Sequence, residues 1–238
     1  TQIYKRGVSS AEKIFGSRRD MFSFLTELID RLADLALFKE SFQAAKIYAD
    51  LKPEDPKVLM TLTKTARSAG EHTRAIAAAQ LATALQPTHP EFRRQLAKSL
   101  ESDGNWKSAL SERQAVLEHR FSPPGTSTWP LAEDMLAFAD CALHADQPDE
   151  AYEVCQKAVD QDPADGQAHA ILGEALSALG KDEQAMEHFS LSTQLSPHKA
   201  APWLSLASAY QRTGKINKTI ETLRTASHAV PDDPSIFF

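Results

Sequence analysis

Cysteine is scarce, with only Cys141 and Cys155 in 238 residues. One pair makes no disulfide framework, and thiols this sparse suit a reducing compartment, so a cytoplasmic setting is expected. Long apolar runs are also missing. No window reaches the roughly 20 apolar residues that a spanning helix needs, so membrane insertion is not expected. Thr1 to Ser10 lacks the basic start, apolar stretch and small-residue cleavage site of a secretory signal. The first residue is not Met, and Thr1 is read as the cut end of a longer protein.

Motifs that carry chemistry are missing too. The chain has no H-E-x-x-H, no G-x-S-x-G and no G-x-G-x-x-G. Between Gly173 and Gly180-Lys181 lie six residues where a phosphate loop has four, and Asp182 stands where Ser or Thr would hold magnesium. Cys141, His144 and Cys155 are the one grouping of soft ligands, short of the four that a structural zinc site takes. No catalytic, cofactor-binding or metal-binding residue is therefore assigned, and the chain is expected not to be an enzyme.

What the chain does have is a period. Gly70 and Gly104 are 34 residues apart, as are Gly180 and Gly214, and Pro163, Pro197 and Pro231 keep the same interval. With position 1 at Phe22, Pro56, Pro90, Ala132, Gly166 and Ala200, six units align, an eight-residue insertion preceding the fourth. Position 20 is then always small (Ser41, Ala75, Ala109, Ala151, Ala185, Thr219), and position 7 always apolar (Leu28, Leu62, Leu96, Phe138, Leu172, Leu206). Position 32 is proline in five of the six, Phe121 being the exception.

Each unit reads as two helices. Leu172, Leu176 and Leu179 share one helical face, and Ala185, Phe189 and Ser192 repeat the spacing after Gly180. Glycine at position 15 suits a tight turn because it takes positive φ without a Cβ clash, and proline at position 32 ends the second helix. A helix pair cannot bury both faces alone, so neighbouring pairs must stack. The fold expected is all-α, an α-solenoid of antiparallel helix pairs with about six 34-residue repeats.

The units set the expected organisation. Residues 1–21 form an N-terminal segment or capping helix, with a capping box at Ser9 and Glu12. Repeats one to three fill 22–121, a proline-rich insertion holding Trp129 fills 122–131, repeats four to six fill 132–233, and 234–238 begin a truncated further repeat.

The residues at these positions resemble the tetratricopeptide repeat (TPR) family. Trp203, Leu206, Ala207, Tyr210, Ala226 and Pro231 match its motif in the last full unit, and Leu172, Gly173, Ala185, Phe189 and Pro197 in the unit before. Unit three departs from it, with Arg93 and Arg113 at positions 4 and 24. The resemblance implies a right-handed superhelix whose first helices line a concave groove, touching an extended peptide or partner helix near positions 2, 5, 9 and 12. Carried onto this chain, those positions select Lys57, Lys64, Arg67, Arg94 and Lys98. The family's carboxylate clamp is not visible, because position 6 reads Glu27, Thr61, Gln95, Ala137, Ile171 and Ser205.

Position 9 is polar throughout: Asp30, Lys64, Lys98, Asp140, Glu174 and Ser208. Residues 1–55 carry 9 basic and 9 acidic groups, 56–123 carry 10 and 6, and 124–238 carry 7 and 17. Repeats two and three are thus expected to attract an acidic segment, and Asp140 and Glu174 a basic one. The plainer alternative is a solvated helix face, with Lys64 and Arg67 beside Glu71. Nucleic acid is not an expected partner, since net positive charge is confined to residues 56–123, without interleaved aromatics.

The function expected is a non-catalytic protein–protein interaction scaffold that helps assemble a multiprotein complex. The alternative is the docking or sensor arm of a larger enzyme, such as a glycosyltransferase or signalling ATPase, with its catalytic domain outside these residues. Self-association through the apolar end Ile236-Phe237-Phe238 is a further expectation.

Overall fold

The turns fall where the glycines are. In the computed structural model, which describes residues 17–120, 132–231 and 233–236, Gly70, Gly104, Gly180 and Gly214 take φ of 78°, 77°, 74° and 71°. The next residue then bonds back five positions, Glu71 N–H to the Ala66 carbonyl at 2.8 Å and Lys181 N–H to Leu176 at 2.9 Å. That is the Schellman closure of a helix. The two repeats without this glycine make the same turn with other residues: Ala36 at φ 57° and Asp146 at φ 61°. Their closing bonds, Leu37 to Leu32 and Gln147 to Ala142, are both 2.9 Å.

Twelve α-helices and no strand occur among the described residues. They divide into two compact blocks that part between His119 and Arg120. The first holds α1 (Arg18–Asp34), α2 (Phe38–Leu51), α3 (Pro56–Ser68), α4 (His72–Leu85), α5 (Pro90–Ser102) and α6 (Trp106–Arg120), whose last residue marks the boundary. The second holds α7 (Ala132–His144), α8 (Pro148–Gln161), α9 (Gly166–Ala178), α10 (Asp182–Leu195), α11 (Ala200–Arg212) and α12 (Ile216–Ala229). Local chemistry starts several of them. Asp55 and Asp165 accept the first N–H groups of α3 and α9, and Pro56 and Pro90 sit in first turns, where no N–H is needed. Five of the six first helices begin at the repeat's position 1, whereas α1 begins four residues early, capped by Ser17.

Within each block successive helices pack on one another, α5 and α6 being joined by the Arg93–Glu112 and Arg113–Glu101 pairs, and first helices also pack on first helices: α3 on α5, and α9 on both α7 and α11. Close approach within a pair rests on small residues, and Ala75, Ala109, Ala151 and Ala185 are fully buried. In the fifth repeat a Cβ added to Gly173 would lie 2.7 Å from the Phe189 ring, so the missing side chain makes room for the phenyl group. Ser41 shows how a polar residue survives at such a contact: its hydroxyl donates to the Ile29 carbonyl of α1 at 3.0 Å.

After α12 a 3-10 turn, Pro234–Ile236, folds back. Ile236 is 8% exposed and packs with Ala200 and Ala226 beside Trp203 and Val230. Its side chain is therefore spent inside the chain and does not serve the self-association expected of the apolar end. Phe237, Phe238, Trp129 with its insertion, and the Ser9–Glu12 box lie outside the described residues.

Candidate partner-binding faces

Position 9 lies two residues after the apolar position 7, about 200° around the helix. All six position-9 residues are exposed. In the first block the candidates differ in what surrounds them. Lys57, Lys64 and Lys98 are exposed, and their ammonium groups make no ion pair among the described residues. Arg67 and Arg94 are engaged. Arg67 Nη1 donates to Gln95 Oε1 at 3.1 Å, Gln95 Nε2 donates to Glu91 Oε1 at 2.9 Å, and Arg94 Nη1 reaches Glu91 Oε2 at 3.2 Å. This network joins α3 to α5. Burial pushes the Glu91 carboxyl up, but the bonds from Gln95 and Arg94 and the charges of Arg94 and Lys64 outweigh it, holding the group below its ordinary value. Burial also lowers the Arg67 guanidinium, which Glu101 opposes and the charge of Arg113 reinforces.

Glu71 does not pair with Lys64 or Arg67 as the solvated-face alternative had it; it binds Arg74 at 3.2 Å. Lys64 instead lines a cleft of about 280 Å³ that also holds Asp30 and Phe38. Of the two arginines that break the pattern in repeat three, Arg113 is buried and Arg93 half-buried. Arg113 is 6% exposed and grips Glu101 with two bonds of 2.8 and 3.0 Å. Arg93 meets Glu112 at 2.9 Å and donates Nε to the Pro87 carbonyl at 3.3 Å.

In the second block Asp140 on α7 and Glu174 on α9 are exposed at successive position-9 sites. Burial against the cleft wall, together with the charge of Asp140, raises the Glu174 carboxyl above its ordinary value, His144 opposing. His144 lies 3.9 Å from Asp140. Cys141 and Cys155 are buried thiols, and the Cys155 thiol is pushed up to about 12 by burial and then by Glu174, Asp140 and Asp165. That leaves it an inert core thiol. No group of His, Cys, Asp or Glu among the described residues is arranged to hold a metal ion.

Glu174 also borders a cleft of about 540 Å³ between α9 and α11. Phe189 and Leu204 supply its apolar surface and Ser177, Ser205 and Ser208 its hydroxyls, with Arg212 at the rim. Sequence reasoning selected Glu174 but missed the cleft, because position 13, where Ala178 and Arg212 sit, carried no pattern. Arg212 Nη2 binds Asp182 at 2.9 Å and also contacts the Ser177 hydroxyl.

Residues 142–194, from the end of α7 through most of α10, match the family model of the tetratricopeptide repeat. That stretch carries tetratricopeptide repeats. No curated protein matches its sequence. Among solved structures, a tetratricopeptide repeat protein from Parabacteroides merdae is similar at TM-score 0.75 and 12% identity, over 91% of this chain and 82% of that one. PilW, a type IV pilus biogenesis factor, is similar at TM-score 0.72 and 13% identity, over 91% and 97%. YrrB, described as a TPR protein with an unusual peptide-binding site, is similar at TM-score 0.56 and 19% identity, over 82% and 96%. At these identities the likeness speaks for the fold alone. The repeat plan accounts for the pattern of faces, with small positions at helix contacts and position 9 outward. No helix among the described residues is long and apolar enough to cross a membrane.

Proposed function

We propose that this chain is a non-catalytic interaction module whose first-helix faces hold an extended segment or helix of a partner protein, with an acidic segment meeting repeats two and three. The observation that carries the reading is the state of Lys64 and Lys98: both are exposed at position 9 of adjacent repeats, and neither is ion-paired. Arg67 and Arg94 support them as a rigid cationic background fixed through Gln95 and Glu91. Lys57 extends the face at the start of α3. A solvated acidic peptide meeting this surface gains both steering and contact.

The test is a Lys64→Glu/Lys98→Glu variant, which keeps every hydrogen-bonding member of the Arg67–Gln95–Glu91–Arg94 network and removes only the charge of Lys64 that Glu91 feels. Binding of a fluorescent Glu/Asp-rich peptide, followed by anisotropy at low and moderate salt, is expected to weaken by about tenfold or more and to lose most of its salt dependence. Equal binding by wild type and variant would remove these lysines from the site.

A further inference from the structure

We propose that the cleft between α9 and α11 receives a lysine or arginine side chain from an extended partner segment, next to an apolar residue of the same segment. The inference rests on the interaction-module reading but assigns it a second face with its own, opposite partner chemistry. Three observations converge on it.

The first is shape. The cleft measures about 540 Å³, and small residues, Ala178, Ser205 and Ser208, leave its walls open. A peptide backbone can approach there and find hydroxyls to bond. The second is the apolar surface of Leu204 and Phe189, which suits one hydrophobic side chain and does not by itself select a charge.

The third is the electrostatics. Glu174 feels the charge of Asp140 from the preceding first helix, with the His144 imidazole, 3.9 Å from Asp140, opposing it. Asp165, which also acts on the buried Cys155 thiol, is already taken up in capping α9, so Glu174 is the carboxylate left open to the cleft. Arg212 is the one cation among the lining residues, and it is already tied to Asp182 and Ser177. An acidic segment would add to the repulsion, and a neutral one would bury Glu174 further without relieving it. A lysine or arginine side chain pairs with Glu174, the one carboxylate among the lining residues, and is favoured further by the charge of Asp140 that Glu174 feels.

The full chain, labelled with nitrogen-15, is titrated with the probe Ac-Gly-Leu-Lys-Leu-Gly-NH2 and with its norleucine and glutamate counterparts in place of lysine. The lysine probe is expected to shift the amide signals of Glu174, Ser177, Ser205 and Ser208 saturably, and the other two to bind about tenfold more weakly or worse. The Asp140→Asn/Glu174→Gln variant should lose the lysine preference. A Ser208→Tyr variant fills the cleft with both carboxylates intact and should abolish the shifts. Equal affinity for lysine and norleucine probes, unchanged binding by the charge-neutral variant, or shifts that avoid these four amides would each overturn the proposal. Lys64→Glu/Lys98→Glu is expected to leave this titration untouched, so failure of the first-block face and failure of this cleft read out separately.

Discussion

The first block keeps Arg67, Arg94 and Arg113 in company, whereas the second leaves two exposed carboxylates, Asp140 and Glu174, one of which feels the charge of the other. Arg67 and Arg94 converge through Gln95 and Glu91, and Arg113 closes on Glu101. Asp140 and Glu174 hold the places of Lys64 and Lys98 two repeats on, and the charge of Asp140 raises Glu174, with His144 opposing. Segment charge alone would rank the faces by counting. The structure ranks them by which charges the fold has already used, and the usable ones are the lysines in one block and the acids in the other. The same repeat plan also accepts unlike donors at one point. Arg93, His169 and Trp203 share position 4, and each gives an N–H to the proline carbonyl six residues earlier, at 3.3, 3.1 and 2.9 Å.

The sharpest way to break the comparison is to remove a buried charge from the first block. Arg113→Ala leaves Glu101, whose side chain is 20% exposed, without its guanidinium. A loss of about 3 kcal/mol is expected in urea unfolding, since stranding one member of a mostly buried pair costs far more than the pair contributes. Replacing both residues, as Arg113→Met/Glu101→Met, should recover much of that loss. A single-variant cost near the ~0.5 kcal/mol typical of surface changes would show that the first block does not depend on this pair.

Why Arg113 was unreadable in the sequence is physical. Phase and small positions marked each helix start, but a lone Arg at a core position signals only a departure, because its partner Glu101 lies on the other helix of the pair, twelve residues earlier and at no fixed motif spacing. The exposure of position 9 followed from periodicity, since it depends only on helical angle. The 540 Å³ cleft did not, because it is shaped by Leu204 and Phe189 from different helices. Ile236 looked available in sequence because nothing local announces that a 3-10 turn returns it to Ala200 and Ala226.

A smaller effect compares the two turns that lack glycine, one in each block. Ala36 holds φ 57° and Asp146 φ 61°. An L residue with a Cβ pays about 1–2 kcal/mol in this region, while Asp tolerates it better through local bonding. Ala36→Gly is therefore expected to stabilise the first block by about 1 kcal/mol after the unfolded-state entropy of glycine is subtracted, and Asp146→Gly to do less for the second. Gly70→Ala, with open space around the added methyl but φ of 78°, should cost about 1 kcal/mol. If Ala36→Gly were neutral or destabilising by thermal melting, the turn would not be the strained point.

The smallest effect concerns acid sensitivity from a histidine pair in the second block. His169 Nε2 lies 3.1 Å from the Pro163 carbonyl, which can only accept, so this nitrogen carries the proton. The other nitrogen of neutral His169 must then accept, and His188 Nδ1, 2.9 Å away, donates to it. The pair can take one further proton and keep a bond, but a second would set N–H against N–H. Burial first and the charge of His169 next lower His188 below the ordinary histidine value, with Glu187 opposing. A lowered histidine means the unfolded chain binds protons more readily, so stability is full above about pH 6.5 and declines as pH falls through the depressed folded value. Glu174 works against this, because its raised carboxyl takes up a proton more readily in the folded chain and acidification relieves its repulsion with Asp140. His188→Asn isolates the histidine, since the amide can still donate to His169 Nδ1 but does not titrate, and Glu174 is common to both proteins. Unfolding free energies measured between pH 7.5 and 5.5 should fall less steeply in the variant than in wild type. Parallel profiles would mean the imidazole pair takes up protons in the folded block as easily as in the unfolded chain.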